Sequence, residues 1–505
     1  MYGEPSTRKT AAIGAVLMVL TAACSRGDAA QTQDVPHAEA PPAAVVQTPA
    51  PPPTLPPVVA SSYDFSAVST LIDDAIAANE LPGAVVQIGH GGKVMFRKAY
   101  GERKLASEPG LDGGPAPAEP MTEDTIFDTA SLTKVLATAP AVMQLYEQGK
   151  IRFDDPVQTY LPDFNVANDP MRAQVTVRML LTHTSGLPGD VELKDPWGLE
   201  KIDRAEGFRR ALTTPLESPP GAWVRYSDIN FILLGLMVEK LTGETEDDYL
   251  QRNVFGPLGL AETRYLPAEK ACGPHVMRGA AIAWAPPSTP AACGPDSWNV
   301  SLLPRIAPTA RDEENRNDPS KNPDIDYLLR GAVNDTTTRR MGGVAGHAGV
   351  FSTAQDVGAY AQALLDRLAG RPSAYPLKQE TLQLMTSPQQ PGATAGQIEA
   401  ANDAARRAGA SATDPLLAAH YPAIRGQNLR GFGWDIDTGQ SMPRGRVFPI
   451  GSFGHTGFTG TSVWIDPASD TYVVLLTNSI HTRGSPPASK LRGDVATATA
   501  QALGL

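Results

Sequence analysis

The chain has 505 residues, of which 42% are hydrophobic and 19% charged, so it has enough apolar side chains for a sizeable globular core. Its net charge of −11 at pH 7, with no basic cluster, argues against nucleic-acid binding. The 46 glycines and 46 prolines predict long loops, within one large domain or two intimately packed ones.

The N-terminal residues 1–23 have the pattern of an export signal. Arg8 and Lys9 precede an apolar run, Ala11 to Leu20, that is too short to cross a bilayer comfortably. Thr21-Ala22-Ala23-Cys24 is similar to a bacterial lipobox. We therefore expect an exported protein at the periplasmic face of the cell envelope, held to a membrane by a lipid on Cys24. Simple secretion without a lipid is the alternative.

Residues 24–62 have the composition of a linker. They are dominated by Ala, Pro, Gln and Thr and include Pro51-Pro52-Pro53, so they cannot bury a core. We expect an extended tether between the anchor and a folded domain over residues 63–505.

The folded part begins with a helix and a hairpin. Apolar residues at helical spacing predict a helix over Ser66–Asn79, with Asp64 as a possible cap. Two strands should follow, Ala84–Ile88 and Lys93–Arg97, joined by the turn His90-Gly91-Gly92. A loop rich in Pro and Gly comes next, residues 107–120.

A long apolar helix is expected over residues 130–145, ASLTKVLATAPAVMQL. Residues three apart share one helix face, so the Ser131 hydroxyl and the Lys134 ammonium should be near neighbours. The stretch is too apolar for a solvated face. Burial would then lower the pKa of Lys134 and let its amine take the Ser131 proton. The alternative is a lysine that extends its charge to the surface while its stem packs.

The sequence pattern predicts mainly helices in the middle of the chain and strands again near its end. The helical part is expected at roughly 135–300, followed by a charged stretch and an insertion rich in Ala and Gly. Strands and a helix at both ends, with helices between them, predict an α+β fold with one sheet built from the two termini. The later elements are a helix at Phe231–Leu241, loops at 272–308, 311–326 and 389–427, strands at Thr461–Asp466 and Thr471–Thr477, and a helix at about 487–503.

The two cysteines beyond Cys24 are Cys272 and Cys293, each followed by Gly-Pro. In an oxidising compartment we expect a disulfide between them. A zinc site is not expected, because no Cys-x-x-Cys or closely spaced His pair accompanies them. We expect no metal and no cofactor.

Two further strings carry candidate chemistry. Tyr226-Ser227-Asp228 lies in a turn before an apolar helix, where the phenol can point into a cleft. His455-Thr456-Gly457 begins the late strand region, and its glycine would let a substrate approach the backbone. Taken singly, Tyr226 could be a packing residue and Asp228 a helix cap.

The order Ser-x-x-Lys, Tyr-x-Asp in place of Tyr-x-Asn, then His-Thr-Gly resembles the serine β-lactamase and penicillin-binding-protein superfamily, in its class C and DD-peptidase branch. The strings at residues 180–187 (LLTHTSGL) and 341–349 (MGGVAGHAG) are also similar to those of its hydrolases. The resemblance implies a β-lactamase/transpeptidase-like fold, with an antiparallel sheet, flanking helices and an inserted mainly helical subdomain.

The resemblance also assigns roles to the residues. Ser131 would be acylated, while Lys134 and Tyr226 would shuttle its proton. Asp228 would orient polar groups, and the His455-Thr456-Gly457 string would bind a substrate carboxylate or the tetrahedral intermediate. The backbone N–H groups of Ser131 and Phe458 would form the oxyanion hole. His183 and His347 are expected to structure loops and are left out of the reactive set.

Two departures from the family pattern bear on the substrate. His455 stands where class C β-lactamases typically have lysine, and a histidine is only partly protonated near neutral pH. Asp228 adds negative charge where asparagine is usual. Both disfavour an efficient β-lactamase, so we expect a DD-carboxypeptidase-like enzyme or an esterase, acting on a small molecule or a peptidoglycan peptide. The alternatives are a class C-type β-lactamase and a non-catalytic relative that binds peptidoglycan.

Overall fold

The computed structural model describes residues 58–59, 62–285, 293–411, 420–482, 484 and 487–505. The expected signal peptide, Cys24 and nearly all of the expected tether lie outside these residues. Among the helices that are described, none is both long and apolar enough to span a bilayer.

The sheet content is dominated by one large sheet, and the remaining strands form small separate pairs or triplets. The strands are β1 (Gly83–His90), β2 (Lys93–Lys104), β3 (Glu119–Pro120), β4 (Phe127–Asp128), β5 (Arg264–Tyr265), β6 (Ala271–Cys272), β7 (His275–Arg278), β8 (Ala281–Trp284), β9 (Trp298–Asn299), β10 (Val350–Ser352), β11 (Leu429–Arg430), β12 (Asp435–Asp437), β13 (Phe453–Thr456), β14 (Ser462–Asp466) and β15 (Thr471–Thr477).

The large sheet joins the two ends of the folded domain. Its order is β11-β12-β13-β14-β15-β1-β2-β3, and β1 runs antiparallel to β15 with Val86 opposite Leu475. Alternate residues of each strand enter different cores, because successive side chains of a strand point to opposite faces. Val86 packs in one core and Val85 in the other. The predicted α+β fold with a sheet from both termini is confirmed.

The helices surround this sheet and fill the middle of the chain. They are α1 (Ser66–Ala77), α2 (Ala139–Glu147), α3 (Val177–Leu181), α4 (Arg204–Thr213), α5 (Asp228–Thr242), α6 (Glu246–Leu250), α7 (Thr336–Arg340), α8 (Ala354–Leu368), α9 (Gln379–Thr386), α10 (Gln397–Ser411) and α11 (Ser489–Leu503).

Helices cover both faces of the sheet. The first and last helices, α1 and α11, pack together on one face, where Val68 and Val495 are fully buried. Helix α8 packs on the other face, next to the larger core that contains α2 and α5. Helix α5 is apolar around its whole circumference, and residues 229–238 are all buried, which is typical of a central helix.

The stretch predicted as one helix over 130–145 has three parts. A 3-10 turn at Ala130–Leu132 leads into a π-helical turn at Lys134–Thr138 and then into α2. The Tyr360 hydroxyl donates to the carbonyl of Val135 at 2.6 Å, and insertion of a side chain in this way is a known cause of local irregularity. The irregular turn coincides with Lys134, and π-helical turns are frequent at functional sites.

The mainly helical part is shorter than the expected 135–300. Short strands begin at Arg264, and a disulfide joins Cys272 to Cys293 with a Cα–Cα distance of 5.4 Å. The expected surface insertion at 389–427 contains α10, and residues 412–419 lie outside the described part.

Candidate active site

Ser131 lies on a strained turn at the end of β4. Ala130 has a left-handed backbone with φ of +48°, an uncommon conformation for a residue with a side chain. Asp128 holds this turn, because its Oδ1 accepts the Ala130 N–H at 2.9 Å and its Oδ2 accepts the Asn334 N–H at 2.8 Å. Burial raises the pKa of Asp128 to about 6, although the two hydrogen bonds oppose this rise. The fold therefore fixes Ser131 through an acidic residue that sequence reasoning missed.

Ser131 and Lys134 face each other as their spacing predicts. Lys134 Nζ lies 3.0 Å from Ser131 Oγ and donates to the carbonyl of His347 at 2.9 Å. The lysine is completely buried. The alternative of a lysine that extends to the surface is therefore wrong.

The expected low pKa of Lys134 is also wrong. Burial alone would lower it, but Asp228 Oδ1 lies 2.6 Å from Nζ, and its negative charge outweighs burial and raises the pKa of Lys134. Lys134 is accordingly an ammonium group paired with a carboxylate in the resting site. Asp228 opens α5, where the preceding turn brings it next to Tyr226.

Tyr226 completes the group around Ser131. Its ring centroid lies 4.9 Å from Lys134 Nζ, and the Lys134 and Ser131 side chains both act on its hydroxyl. Withdrawal of the hydroxyl from water raises the pKa of Tyr226, despite the opposing charge of Lys134. The phenol therefore keeps its proton at neutral pH and can act as a hydrogen-bond donor.

His183 holds the turn that contains Tyr226 through three contacts, one with the tyrosine ring and two with the residues on either side of it. Its ring stacks on the tyrosine ring with centroids 4.4 Å apart, its carbonyl accepts the Arg225 N–H at 2.7 Å, and its Nδ1 accepts the Ser227 N–H at 3.1 Å. His183 itself has a left-handed φ of +57°. Burial, followed by nearby cations including Arg430, holds its pKa well below the usual value. The neutral His183 ring thus helps to position Tyr226, which is a larger role than the loop-structuring one expected from the sequence.

His455 borders the site on the sheet side, on β13. Its ring centroid lies 6.0 Å from that of Tyr226. Its Nδ1 lies 2.8 Å from the Thr456 carbonyl and must carry the proton, while its buried Nε2 has no partner in the described part of the chain. Burial, with the charges of Arg430, Lys134 and Arg492, holds the pKa of His455 well below its usual value. The expected partial protonation is therefore wrong, and His455 is neutral.

The loop after His455 is fastened to the Ser131 turn. Thr459 Oγ1 donates to the Asp128 carbonyl at 2.7 Å, and Thr461 Oγ1 donates to the Thr129 carbonyl at 3.0 Å. A Cβ on Gly457 would lie 2.4 Å from the Thr129 carbonyl, so only glycine fits here. Gly457 thus allows the close approach of two protein loops, and its part in the approach of a substrate stays a prediction.

Phe458 is next to this contact, and its backbone N–H has no acceptor among the described residues. Its side chain is 76% exposed. A cavity of about 540 Å³ opens beside it, lined also by Asn334 and Arg311, and this volume suits a small ligand. Of the site residues, the cavity touches Phe458, whereas Ser131 and Tyr226 are not part of its lining.

A buried ion pair supports the carbonyl that holds Lys134. His347 Nε2 lies 2.8 Å from Asp335 Oδ1, and although burial lowers the pKa of His347, the Asp335 charge raises it overall. His347 therefore has a structural role, as expected, with Asp335 as a partner that the sequence did not reveal. Among the described residues no group of His, Cys, Asp and Glu side chains forms a metal site.

Comparisons with known proteins place this arrangement among relatives. A family model described as Beta-lactamase matches residues 68–497. The chain is 31% identical over 432 residues to the N-acetylmuramyl-L-alanine amidase of Bacillus subtilis (strain 168), covering 84% of this chain and 82% of that protein. It is 28% identical over 407 residues to a protein of Escherichia coli (strain K12) named "Putative D-alanyl-D-alanine carboxypeptidase", covering 78% of each.

A solved structure is similar in fold. A penicillin-binding protein homolog from Caulobacter crescentus aligns with a TM-score of 0.57 at 17% identity, covering 88% of this chain and 98% of that one. At this identity the likeness concerns the fold alone.

Proposed function

Because the chain belongs to the β-lactamase family of serine hydrolases, we propose that Ser131 attacks the carbonyl carbon of an ester or amide and is transiently acylated. The observation that carries this proposal is the 3.0 Å contact between Lys134 Nζ and Ser131 Oγ, with Tyr226 beside both. A nucleophile within hydrogen-bond reach of a proton-transfer group is the geometry that acyl transfer needs.

The ion pair directs the path of the proton. An ammonium group cannot take the Ser131 proton unless it gives one of its own away, and Asp228 lies 2.6 Å from Nζ to receive it. Lys134 passes one proton to Asp228 and takes the Ser131 proton as the serine oxygen bonds to the acyl carbon, whose C=O π electrons move to the carbonyl oxygen. The leaving alcohol or amine takes the Tyr226 proton as its bond to carbon breaks, and the proton on Asp228 returns through Lys134 to Tyr226. In deacylation the transfers run in reverse: Tyr226 passes its proton through Lys134 to Asp228 and takes a proton from water, whose oxygen bonds to the acyl carbon. The bond between that carbon and the Ser131 oxygen then breaks, and Ser131 regains a proton from Lys134, which regains one from Asp228.

The polarity of the site supports a substrate whose leaving group carries no carboxylate. Lys134, the cation that touches Ser131, is already neutralised by Asp228, and His455 is a neutral ring. A carboxylate near Ser131 would meet the Asp228 charge, and Lys134, the cation in contact with Ser131, is already paired with that charge. We therefore favour an ester or an internal amide of the cell wall, which accords with the amidase name of the Bacillus subtilis relative.

The second candidate is removal of a terminal D-alanine, which is supported by the name of the Escherichia coli relative. Three substrates separate the candidates: a nitrophenyl ester, a stem peptide ending in D-Ala-D-Ala, and the same peptide amidated at its C-terminus. We expect turnover of the ester and faster cleavage of the amidated peptide than of the acid. Faster cleavage of the acid would favour the carboxypeptidase, and efficient nitrocefin turnover would favour a β-lactamase.

Ser131→Ala is the matched control for all of these assays. It should abolish turnover and also labelling by a fluorescent fluorophosphonate, whose adduct should map to Ser131 by mass spectrometry. Turnover that persists in this variant would contradict the acyl-enzyme. A wild-type protein that neither turns over substrate nor takes the label would instead support the non-catalytic alternative.

The place of action follows from the same proposal. The cell-wall substrates named for both relatives support an extracytoplasmic enzyme, and we propose that a lipid on Cys24 anchors it at the periplasmic face of the envelope. Expression of the full chain with radiolabelled palmitate tests this. We expect labelled protein in the membrane fraction and unlabelled, released protein for Cys24→Ala.

A further inference from the structure

Arg492, near the start of α11, is a buried cation without a counter-ion among the residues that the structure describes. Arg492 is 8% exposed, no described carboxylate acts on its charge, and its Nε has no partner in the described part of the chain. Its hydrogen bond runs from Nη2 to the Gly457 carbonyl at 2.6 Å. Burial lowers the pKa of Arg492 to about 10. A charge buried without a partner costs stability, so packing alone does not account for this arginine.

The carbonyl that Arg492 binds belongs to the peptide unit whose N–H is that of Phe458. A peptide unit is conjugated, so a positive charge on its oxygen draws electron density from nitrogen and makes the N–H a stronger donor. The hydrogen bond is charge-assisted and short, which also fixes the plane of the peptide. The threonine contacts described above hold this peptide against the Ser131 turn.

We propose that Arg492 is a positioning residue that orients and polarises the Gly457–Phe458 peptide, so that the Phe458 N–H stabilises the oxyanion formed at the acyl carbon on Ser131. This inference rests on the acyl-enzyme function proposed above. No bond forms or breaks at Arg492. Its charge acts through the peptide, and the benefit arises only when negative charge develops on the substrate oxygen.

The expected effect is therefore on the chemical step. Loss of a whole oxyanion donor lowers kcat by about 10² to 10³, and a weakened donor should lower it by less. We expect Arg492→Met to lower kcat for a nitrophenyl ester roughly 10-fold to 30-fold, with KM within about twofold of wild type. Arg492→Lys, which keeps the charge, should lose less than Arg492→Met. Arg492→Gln, which keeps an N–H donor without the charge, should fall between them and serves as the neutral variant should Arg492→Met not fold.

Two measurements separate this role from a structural one. The first is kcat per active site, with sites counted by the fluorophosphonate burst. The second is affinity for an arylboronic acid, which forms a tetrahedral anion on a serine and should weaken in parallel with kcat. A merely structural arginine would reduce the number of titratable sites and the melting temperature, and would leave kcat per site unchanged.

Arg444 is the matched control, because it is also a buried arginine but is paired with Asp437 at 2.8 Å. We expect Arg444→Met to lose stability and keep kcat per titrated site. The proposal is overturned if the neutral variants of Arg492 keep kcat per site and boronate affinity within twofold of wild type, or if only KM changes. A wild-type protein without a fluorophosphonate burst would mean that the acyl-enzyme itself is wrong, which is a separate result.

Discussion

Glu246 is a buried acid whose protonation should make stability depend on pH. Its side chain is 1% exposed, and its Oε1 lies 2.7 Å from Thr138 Oγ1, which also lies 2.7 Å from the Gly346 carbonyl. A hydroxyl has one proton and cannot donate to two acceptors. Both contacts are satisfied only if a protonated Glu246 donates to Thr138, which then donates to Gly346. Burial, the main cause, raises the pKa of Glu246 to about 8.

The sign and size of the effect follow from this pKa. Between pH 4.5, where glutamate ordinarily titrates, and about 8, the unfolded chain releases this proton while the folded protein keeps it. The stability that the proton contributes is therefore full below pH 4.5 and declines as pH rises to about 8. At about 1.4 kcal/mol per pH unit, the loss at pH 7 is about 3 kcal/mol. Glu246→Gln keeps a donor for Thr138 and does not titrate, so it should recover about 2 to 3 kcal/mol at pH 7.

Urea denaturation at pH 4, 5.5, 7 and 8.5 measures the difference between wild type and Glu246→Gln. We expect equal stability at pH 4 and a difference that grows with pH and levels off above about 8. Glu239→Gln is the matched control, because Glu239 accepts the Glu246 N–H at 2.8 Å and binds Arg204 at 2.9 Å, and its loss should destabilise the protein at pH 7. A difference that stays constant with pH, or a Glu246→Gln variant that is less stable at pH 7, would refute the reasoning.

Substitutions at three further positions test the site. Asp228→Asn removes the charge that raises the pKa of Lys134, so burial should lower that pKa in the variant. The pH profile of the fluorophosphonate labelling rate should then show the lysine titration at lower pH than in wild type. An unchanged pH profile would contradict control of Lys134 by the ion pair. His183→Asn keeps a hydrogen-bond acceptor and tolerates the left-handed backbone, whereas His183→Leu does neither. We therefore expect kcat to be roughly tenfold lower in His183→Leu than in His183→Asn, with similar KM values. Equal kcat values in the two variants would show that His183 does not position Tyr226. Asp128→Ala leaves one buried and one partly buried N–H group without their acceptor and should cost about 2 to 4 kcal/mol in unfolding free energy. Thermal unfolding close to that of wild type would show that the turn does not need Asp128.

The sequence predicts those parts of this protein that depend on local patterns. Strong strand patterns near both termini indicated the shared sheet, because β1 and β15 each carry apolar residues on both faces. Spacing along one turn was enough to place Ser131 beside Lys134. The interruption of the long helix was not predictable, because it involves the Tyr360 hydroxyl, which reaches Val135 from 225 positions away.

The charge states of the buried site residues were not predictable either, because they also depend on partners that are distant in the sequence. Burial of Lys134 could be read from its apolar neighbours, but the sign of its pKa shift depends on Asp228, which a different helix supplies. His183 carried a weak signal within the LLTHTSGL string, yet its three contacts with the Tyr226 turn appear only when residues 183 and 225–227 are brought together. The role of Asp335 likewise could not be predicted, because it depends on the contact of its carboxylate with His347 in the folded protein.

The distribution of cations offers a physical reason for a histidine at position 455. Lys134, Arg430 and Arg492 all act on this ring, and each lowers its affinity for a proton. A lysine here would add a fourth cation to a buried group in which only Lys134 and Arg430 have described acidic partners, whereas a histidine can remain neutral. The positive charge that remains uncompensated, on Arg492, is directed through Gly457 towards the Phe458 N–H. Of the three cations that act on His455, the one without a described acidic partner thus lies behind the proposed oxyanion position, which ties the proposed role of Arg492 to the proposed preference for esters and internal amides.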